Sequence, residues 1–410
     1  MTIQNDYKTA VYNLKTGLPP GNGELIEKIS VGVGFLADFW NEKYLDQYIQ
    51  LGGSKIKFLT GNAGSGKSHF LELFLTGASK SNYQIVSLSA KNVWIHDFKE
   101  IYTAVLGEMD LLSCLKKCAD TIVQELGFDG GEIPQGMSFA DYLSSTGQLD
   151  PIIKRELRLQ LNRMFLQNPL IDNNFALCCS LLTGGILGHP LLEEHNRQLL
   201  LMWLVGSREA KLSAVRALGL SPSRITKYNA RHMLRSLVEV IKLAGHPGLL
   251  IGIDDLEILI QNSGLDEIRY TKMRREDAYE SIRELIDEID TLRNVMFIFS
   301  FNRQLIDDDN HGLKSYQALW MRLQNEVEGE RFNRFTDIVD MDKLARQEYD
   351  EGTVMEMSRR IAGVLMEFDR RITPVSVDTA RELMERARYS QVSLPRMISL
   401  ATAGLETGYD

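Results

Sequence analysis

The chain contains the glycine-rich sequence Gly61-Asn62-Ala63-Gly64-Ser65-Gly66-Lys67-Ser68. An apolar run at residues 56–60 precedes it, and an apolar, helix-forming segment begins at His69. The pattern Gly-x4-Gly-Lys-Ser between a strand and a helix is typical of a phosphate-binding loop. Its glycines let the backbone approach phosphates closely, and the positive end of the following helix faces the anion. We therefore predict that residues 61–69 bind a nucleoside triphosphate, ATP with Mg²⁺.

A second apolar run, residues 249–253, ends in two aspartates. In P-loop enzymes the loop lysine neutralises the β- and γ-phosphates, while the loop serine and an acid at a strand end hold Mg²⁺. We assign these roles to Lys67, Ser68 and Asp254. The next position often carries a glutamate that polarises the attacking water. Here it is the shorter Asp255, with a glutamate two residues further on, so hydrolysis depends on whether Asp255 reaches the water directly or through a second water.

A third apolar run, residues 295–301, is bounded by Asn302. Ligands of open α/β sheets bind at the carboxyl ends of the strands, so a polar group here could contact the γ-phosphate or the attacking water. We select Asn302 for this role and Ser300 as the second choice. The alternative is that both are ordinary polar residues at a strand end.

Continuous apolar strands that alternate with helices predict an α/β fold with a parallel sheet covered on both faces. Two further strands are predicted at residues 84–88 and 336–339, and a charged helix at 274–290. Between the strands at 84–88 and 249–253 the periodicity is almost entirely helical. This stretch is too long for one crossover, so we predict an inserted helical subdomain at about 98–244.

The predicted organisation has three parts. Residues 1–55 lead into the nucleotide site, residues 56–343 form a P-loop core that carries the helical insertion, and residues 344–410 form C-terminal helices. In the lead-in, Phe35, Phe39, Trp40, Tyr44 and Tyr48 recur mostly at four-residue spacing, which predicts an amphipathic helix.

Composition limits the remaining possibilities. The 410 residues are 44% hydrophobic and 25% charged with a net charge of −9, so any contact with DNA needs a local basic patch. The four cysteines lack the spacing of a zinc site and are expected to be reduced, partly buried thiols. No apolar run approaches the ~18 residues that a membrane span needs, and we expect a cytoplasmic protein that does not bind membranes.

Several blocks of sequence indicate a family. The order of phosphate loop, acidic strand, polar strand end and C-terminal helices is similar to that of AAA+ ATPases. More narrowly, three blocks resemble the ATP-binding proteins of bacteriophage-exclusion (BREX) systems. The first block combines Gly17-Leu18-Pro19-Pro20-Gly21 with residues 58–71, the second comprises residues 225–230 and 245–257, and the third comprises residues 278–283, 297–299 and 316–323.

The resemblance implies a AAA+ core like that of origin-recognition proteins, with a C-terminal helical lid at 344–410. It also implies a homo-oligomer or a complex with a helicase or nuclease of an anti-phage system. Proteins of this kind place an arginine of a neighbouring subunit on the γ-phosphate, and the candidates are Arg334, Arg331 and then Arg322. Ser393-Leu394-Pro395-Arg396 resembles the lid motif whose arginine senses nucleotide, with Ser393 as the helix cap. The departure is Asp255, where such proteins usually have glutamate.

Two basic segments are candidates for contact with DNA. Residues 214–226 are predicted as helix, glycine turn and helix, and they lie within a basic stretch at 208–235. A second cluster at 269–275 precedes a predicted helix. The alternative for both is a solvated basic face. Besides a defence ATPase, two functions stay open: a slowly hydrolysing ATP switch, suggested by Asp255, and a helicase loader that binds DNA.

Overall fold

Five strands form one parallel sheet. This computed structural model describes residues 2–261, 268–327, 331–367 and 371–405, with side chains from residue 7 onward. The strands are β1 (Ser54–Gly61), β2 (Gln84–Ser89), β3 (Leu249–Asp254), β4 (Val295–Asn302) and β5 (Ile338–Asp340). Their order across the sheet is β2-β3-β4-β1-β5. Strand β4 therefore lies between the strand that ends in Asp254 and the strand that ends in the phosphate loop.

The strands agree with the sequence prediction. Each of the five predicted strands is present, with its ends shifted by one or two residues. Strand β4 is buried at every position except Asn302, as the continuous apolar run predicted. At the sheet edge β1 pairs with β5 in parallel, with Phe58 opposite Ile338 and Thr60 opposite Asp340.

Helices account for most of the remaining chain. In the N-terminal part they are α1 (Thr2–Lys15), α2 (Gly23–Ile29), α3 (Gly34–Trp40) and α4 (Lys67–Lys80). Between β2 and β3 they are α5 (Phe98–Glu108), α6 (Leu111–Glu125), α7 (Phe139–Ser145), α8 (Pro151–Leu161), α9 (Asn173–Leu187), α10 (Glu194–Leu204), α11 (Leu212–Ala217) and α12 (Ala230–Leu243). After β3 they are α13 (Lys272–Glu288), α14 (Gln304–Asp307), α15 (Gln317–Val327), α16 (Met341–Glu348), α17 (Glu351–Leu365), α18 (Val377–Arg386) and α19 (Leu394–Thr402).

Helix α4 anchors the phosphate loop to the core. Its apolar residues recur at helical spacing and bury one face, on which Phe70 and Phe74 lie. Trp40 at the end of α3 contacts both rings edge-on, with centroid distances of 5.1 and 5.2 Å. Burial of each such ring contributes about 1.5–3 kcal/mol. The N-terminal lead-in thus fixes the helix that begins at Lys67.

The aromatic segment 35–48 differs from the predicted single α-helix. The α-helical part ends at Trp40, and Asn41–Ile49 continues as a π-helix. Phe39 and Trp40 are buried, whereas Phe35 and Tyr48 are exposed. The wider turn changes which positions share a face, so four-residue spacing does not place all of these rings on one side.

The predicted helix-turn-helix at 214–226 is wrong. Helix α11 ends at Ala217 and α12 begins only at Ala230. After a turn at Gly219 (φ +92°) the chain is not helical, because Pro222 disfavours the helical conformation of the residue before it. The indole N–H of Trp203 donates to the Ser223 carbonyl at 3.1 Å and holds this segment. No recognition helix forms here.

The chain divides into two compact units. One comprises Met1–His96, Leu250–Ile289 and Met296–Asp410, and the other comprises Asp97–Leu249 and Asp290–Val295. The first unit contains the phosphate loop and helices α13–α19, and the second contains helices α5–α12. All four cysteines lie in the second unit as buried free thiols, as expected. Among the described residues, no helix is long and apolar enough to cross a membrane.

Candidate nucleotide-binding site

The loop between β1 and α4 depends on glycine at three positions. Gly61, Gly64 and Gly66 have φ values of +150°, +77° and +92°, which other residues rarely adopt. A β-carbon at Gly61 would lie 2.5 Å from Ser65 Oγ, so there is also no room for a side chain. The loop is therefore a tight backbone turn that opens onto the first turn of α4.

Lys67 is buried at the base of this loop. Its ammonium group donates to the carbonyl oxygens of Gly61 and Asn62, each at 2.9 Å, and to Ser65 Oγ at 3.3 Å. Burial lowers the pKa of Lys67, and the charges of nearby acids oppose this effect, Glu257 first and Asp254 second. Uncharged oxygen atoms thus hold the lysine inside the loop. Phosphate oxygens can take their place, because a hydrogen bond between two charged groups is stronger.

Asp254 and Asp255 have different surroundings although they are adjacent. Asp254 ends β3, and its Oδ1 accepts the N–H of Asp255 at 2.8 Å. Asp255 adopts a left-handed φ of +61°. Its carboxylate accepts a hydrogen bond from Ser89 Oγ at 2.7 Å and forms an ion pair with Lys91 Nζ at 2.8 Å. The Asp255 carboxylate is therefore held at the end of β2.

Glu257 is an acidic residue of the site that the sequence analysis did not select. It lies in the 3-10 helix Leu256–Leu259, and its Oε2 accepts the backbone N–H of Asn302 at 3.0 Å. Burial raises the pKa of Glu257. Glu257 lines the same cavity as Asp254 and the phosphate loop. Its place in the sequence, three residues after the acid that ends β3, was the signal that could have found it.

Asn302 and Ser300 are separated by their position on β4. Asn302 lines the loop cavity, and its Oδ1 accepts the N–H of Gln304 at 3.0 Å, which caps the short helix α14. Ser300 is fully buried inside the strand. Of the two, the structure brings only Asn302 to the cavity that the phosphate loop lines.

A cavity of about 240 Å³ adjoins the loop. Its polar and charged lining residues include residues 65–69, Asp254, Asp255, Glu257, Asn302 and Arg396. Its apolar lining residues include Leu14, Pro19, Pro20, Ile29, Val31, Val33, Met357 and Ile361. The lining thus combines hydrogen-bond donors and charges for an anion with apolar surface for a flat ring.

Arg396 packs directly on the loop. A β-carbon added at Gly64 would lie 2.3 Å from Arg396 Cβ, and one added at Gly17 would lie 2.7 Å from Arg396 Cγ. Its Nε is buried and has no hydrogen-bond partner among the described residues. A buried guanidinium nitrogen without a partner costs free energy unless an acceptor is supplied. The predicted position of Arg396 beside the nucleotide thus has a geometric basis.

Asp342 connects the loop to α19. Its Oδ2 accepts the N–H of Asn62 at 2.6 Å, and its Oδ1 accepts the hydroxyl of Ser393 at 2.5 Å. The N–H of Ser393 donates to the carbonyl of Ala63 at 3.3 Å. Ser393 is the N-cap residue of α19, but its side chain makes no cap bond, contrary to the prediction; its hydroxyl is oriented by its donation to Asp342.

The remaining loop residue, His69, is neutral. Its Nε2 shares a hydrogen bond of 2.7 Å with Ser30 Oγ, and burial lowers its pKa to about 4. His69 also lines the cavity. It therefore contributes a polar surface rather than a positive charge.

The three arginines proposed to act between subunits lie outside the residues that line this cavity. Arg322 makes a two-point ion pair with Asp287, at 2.5 and 2.7 Å. Arg334 lies over the ring of Phe39 at 4.7 Å, and Arg331 is exposed beside a second cavity. None of the three contacts the phosphate loop within one chain.

The predicted Mg²⁺ ligands fit that ion. Ser68 and Asp254 both line the cavity. The described residues contain no group of three or more His, Cys, Asp or Glu that could hold a metal by themselves. Mg²⁺ prefers oxygen ligands and is commonly held by one or two protein oxygens together with phosphates and water. A hydroxyl and a carboxylate beside a phosphate-binding loop are a donor set of this kind.

The sheet, the loop and the acid at the end of β3 define a mixed α/β protein and are consistent with a P-loop core. The chain also matches the family described as BREX system ATP-binding protein BrxC/D over residues 3–393, and it belongs to that family. ATP binding and a role in BREX antiviral defence are therefore supported by its family. No curated protein and no solved structure matches the chain.

Proposed function

We propose that the chain is a AAA+ ATPase whose cycle of ATP binding and hydrolysis controls assembly on DNA or on a partner helicase or nuclease of the defence system. One observation supports this most strongly: the phosphate loop, the acids after β3 and the partnerless Nε of Arg396 line a single cavity. In this proposal residues 56–343 form the core, with the helical insertion at 98–244, and residues 344–410 form the lid. The protein acts in the cytoplasm.

The roles follow from the positions of the side chains. The N–H groups of the loop and Lys67 bind the phosphates, and Ser68 and Asp254 hold Mg²⁺, which supplies charge neutralisation at the phosphates when bound. Arg396 donates to a phosphate oxygen and relieves its buried Nε. The adenine ring packs against apolar residues that line the cavity, among them Pro19 and Met357.

Arg396 is the only arginine among the described residues that line the cavity, so in this proposal a second positive charge at the γ-phosphate comes from another subunit. Arg334, Arg331 or Arg322 of a neighbouring subunit would provide that charge in a homo-oligomer. The exposed position of Arg331 suits such a role better than the ion-paired position of Arg322.

The proposal predicts that the purified chain binds ATP with Mg²⁺ and releases phosphate. Calorimetric titration with ATP measures binding, phosphate release measures hydrolysis, and mass measurement with and without nucleotide reports assembly. Binding together with multiple-turnover hydrolysis supports the ATPase. Binding with less than about one turnover per minute favours the slow switch, for which the ion pair that holds the Asp255 carboxylate on Lys91 is the motivating observation. Absence of binding refutes both.

A contact with DNA through residues 208–235 is the second candidate function. This segment carries many exposed basic groups and one acidic residue, Glu209. Tyr228 is 88% exposed, and Lys227 Nζ lies 5.3 Å from its ring centroid. An exposed aromatic ring among cations is a suitable surface for stacking a base and contacting phosphates. The non-helical segment at 220–229, not a recognition helix, would make this contact.

We expect the double variant Arg224→Glu/Lys227→Glu to bind a fluorescent DNA oligonucleotide more weakly. Each lost phosphate contact lowers the slope of log affinity against log salt by about 0.7–0.9. Fluorescence anisotropy at several salt concentrations measures both quantities. The matched control is Arg155→Glu/Arg158→Glu, which reverses two exposed charges on α8. Equal DNA affinity in both double variants and the wild type would remove this segment as the contact.

A further inference from the structure

We propose that Glu257, and not Asp255, is the catalytic residue that orients and deprotonates the water attacking the γ-phosphate. This inference rests on the proposed ATPase function. It assigns the residue that acts on the attacking water, a position at which the sequence has Asp255 instead of the usual glutamate. Three observations carry it: where Asp255 is held, where Glu257 is held, and how the strands are ordered.

Asp255 is committed to contacts at the end of β2. Both of its carboxylate oxygens have partners, Ser89 Oγ at 2.7 Å and Lys91 Nζ at 2.8 Å. Strand β2 lies at the edge of the sheet, on the far side of β3 from the phosphate loop. Asp255 also lines the cavity, but its carboxylate would have to break the contacts with Ser89 and Lys91 before it could act on a water at the γ-phosphate.

Glu257 is held on the opposite side of β3. Its Oε2 accepts the N–H of Asn302, the last residue of β4, at 3.0 Å. Strand β4 lies directly between β3 and β1, and β1 leads into the phosphate loop. The Glu257 carboxylate therefore stands at the carboxyl edge of the sheet between the Mg²⁺-binding acid and the loop that holds the phosphates.

The electrostatics agree with this placement. Among the acids whose charges raise the pKa of the buried Lys67, Glu257 has the largest effect and Asp254 the second largest. The longer side chain also supplies the methylene that Asp255 lacks. The N–H of Asn302 fixes one carboxylate oxygen, and the carboxylate keeps further lone pairs for a water.

The reaction step balances without any further reactant. The water oxygen forms a bond to the γ-phosphorus as the bond from that phosphorus to the β–γ bridging oxygen breaks. The bridging oxygen leaves with the electron pair on ADP, and the water proton passes to the Glu257 carboxylate, which later releases it to solvent. Donation of the Asn302 N–H orients the carboxylate during this transfer.

The test compares Glu257→Gln with Asp255→Asn and a surface control. Glutamine keeps an oxygen acceptor for the Asn302 N–H, so the variant removes the base but preserves the contact. General-base catalysis typically contributes about 10²–10⁴-fold. We therefore expect kcat for ATP hydrolysis to fall by about that factor while the Kd for ATP changes by less than about threefold. The control Glu276→Gln, on the exposed face of α13, keeps the wild-type rate.

Asp255→Asn weakens the contact with Lys91, and we expect it to lower hydrolysis by less than about tenfold, since only a surface ion pair is lost. Two outcomes overturn this inference if the wild-type chain binds and hydrolyses ATP: Glu257→Gln keeps the wild-type kcat, or Asp255→Asn lowers kcat more than Glu257→Gln does. Either outcome leaves the ATPase proposal standing. Wild-type protein without ATP binding overturns the proposed function itself. A fall in kcat with unchanged Kd separates the catalytic role from a structural one, and thermal unfolding of each variant verifies the fold.

Discussion

Replacement of Lys67 by alanine is expected to lower the affinity for ATP by about 10- to 150-fold, because hydrogen bonds to charged groups contribute about 1.5–3 kcal/mol. The ammonium group already lies inside the loop, on the carbonyl oxygens of Gly61 and Asn62. Binding therefore needs no rearrangement of the lysine chain, only an exchange of uncharged acceptors for phosphate oxygens. Titration calorimetry with ATP and Mg²⁺ measures the loss.

The affinity loss is separated from a loss of folding by thermal unfolding of the variant. Burial lowers the pKa of Lys67, but three hydrogen bonds hold its ammonium group in the loop. The affinity is therefore compared only under conditions where the variant remains folded. Lys80→Ala, at the exposed end of the same helix, is the matched control and should keep wild-type affinity. Unchanged ATP affinity in Lys67→Ala would contradict the proposed site.

Much of the fold follows from periodicity. The apolar runs at β1, β3 and β4 are continuous because these strands are buried on both faces, so their existence and ends could be predicted. The phosphate loop could be predicted because its glycines have no substitute at positive φ. Strand order could not be read from periodicity, since it depends on which crossovers form. That order is what separates Asp255 from Glu257.

The residues that the sequence analysis missed act over long separations or through irregular backbone. Asp342 contacts Asn62 across 280 positions, and nothing in the local pattern around Asp342 indicates that contact. Glu257 is placed by the left-handed Asp255 and the short 3-10 helix that follows it, which no local sequence pattern indicates. At residues 220–229 the polar and basic pattern was compatible with a helix, but Pro222 and the Trp203 contact favour a non-helical chain.

Replacement of Gly64 by alanine is expected to lower ATP affinity at least about tenfold, because the added β-carbon collides with Arg396 and such overpacking typically costs about 1–3 kcal/mol. Gly64 has a φ of +77°, and a β-carbon there would lie 2.3 Å from Arg396 Cβ. Both atoms are close to backbone, so no flexible side chain can yield. Either the loop moves away from α19 or α19 moves away from the loop, and both movements separate the phosphate-binding N–H groups from Arg396.

The matched control for this prediction is Gly21→Ala. Gly21 has a similar φ of +66°, but an added β-carbon there has nothing within 4 Å. The two variants therefore share the backbone strain and differ in the contact with Arg396. We expect both to lower the thermal midpoint, and only Gly64→Ala to lower ATP affinity, measured by the same titration. If the two variants lose affinity equally, the loss comes from backbone strain alone, and the close approach of Arg396 to the loop plays no part in holding the nucleotide.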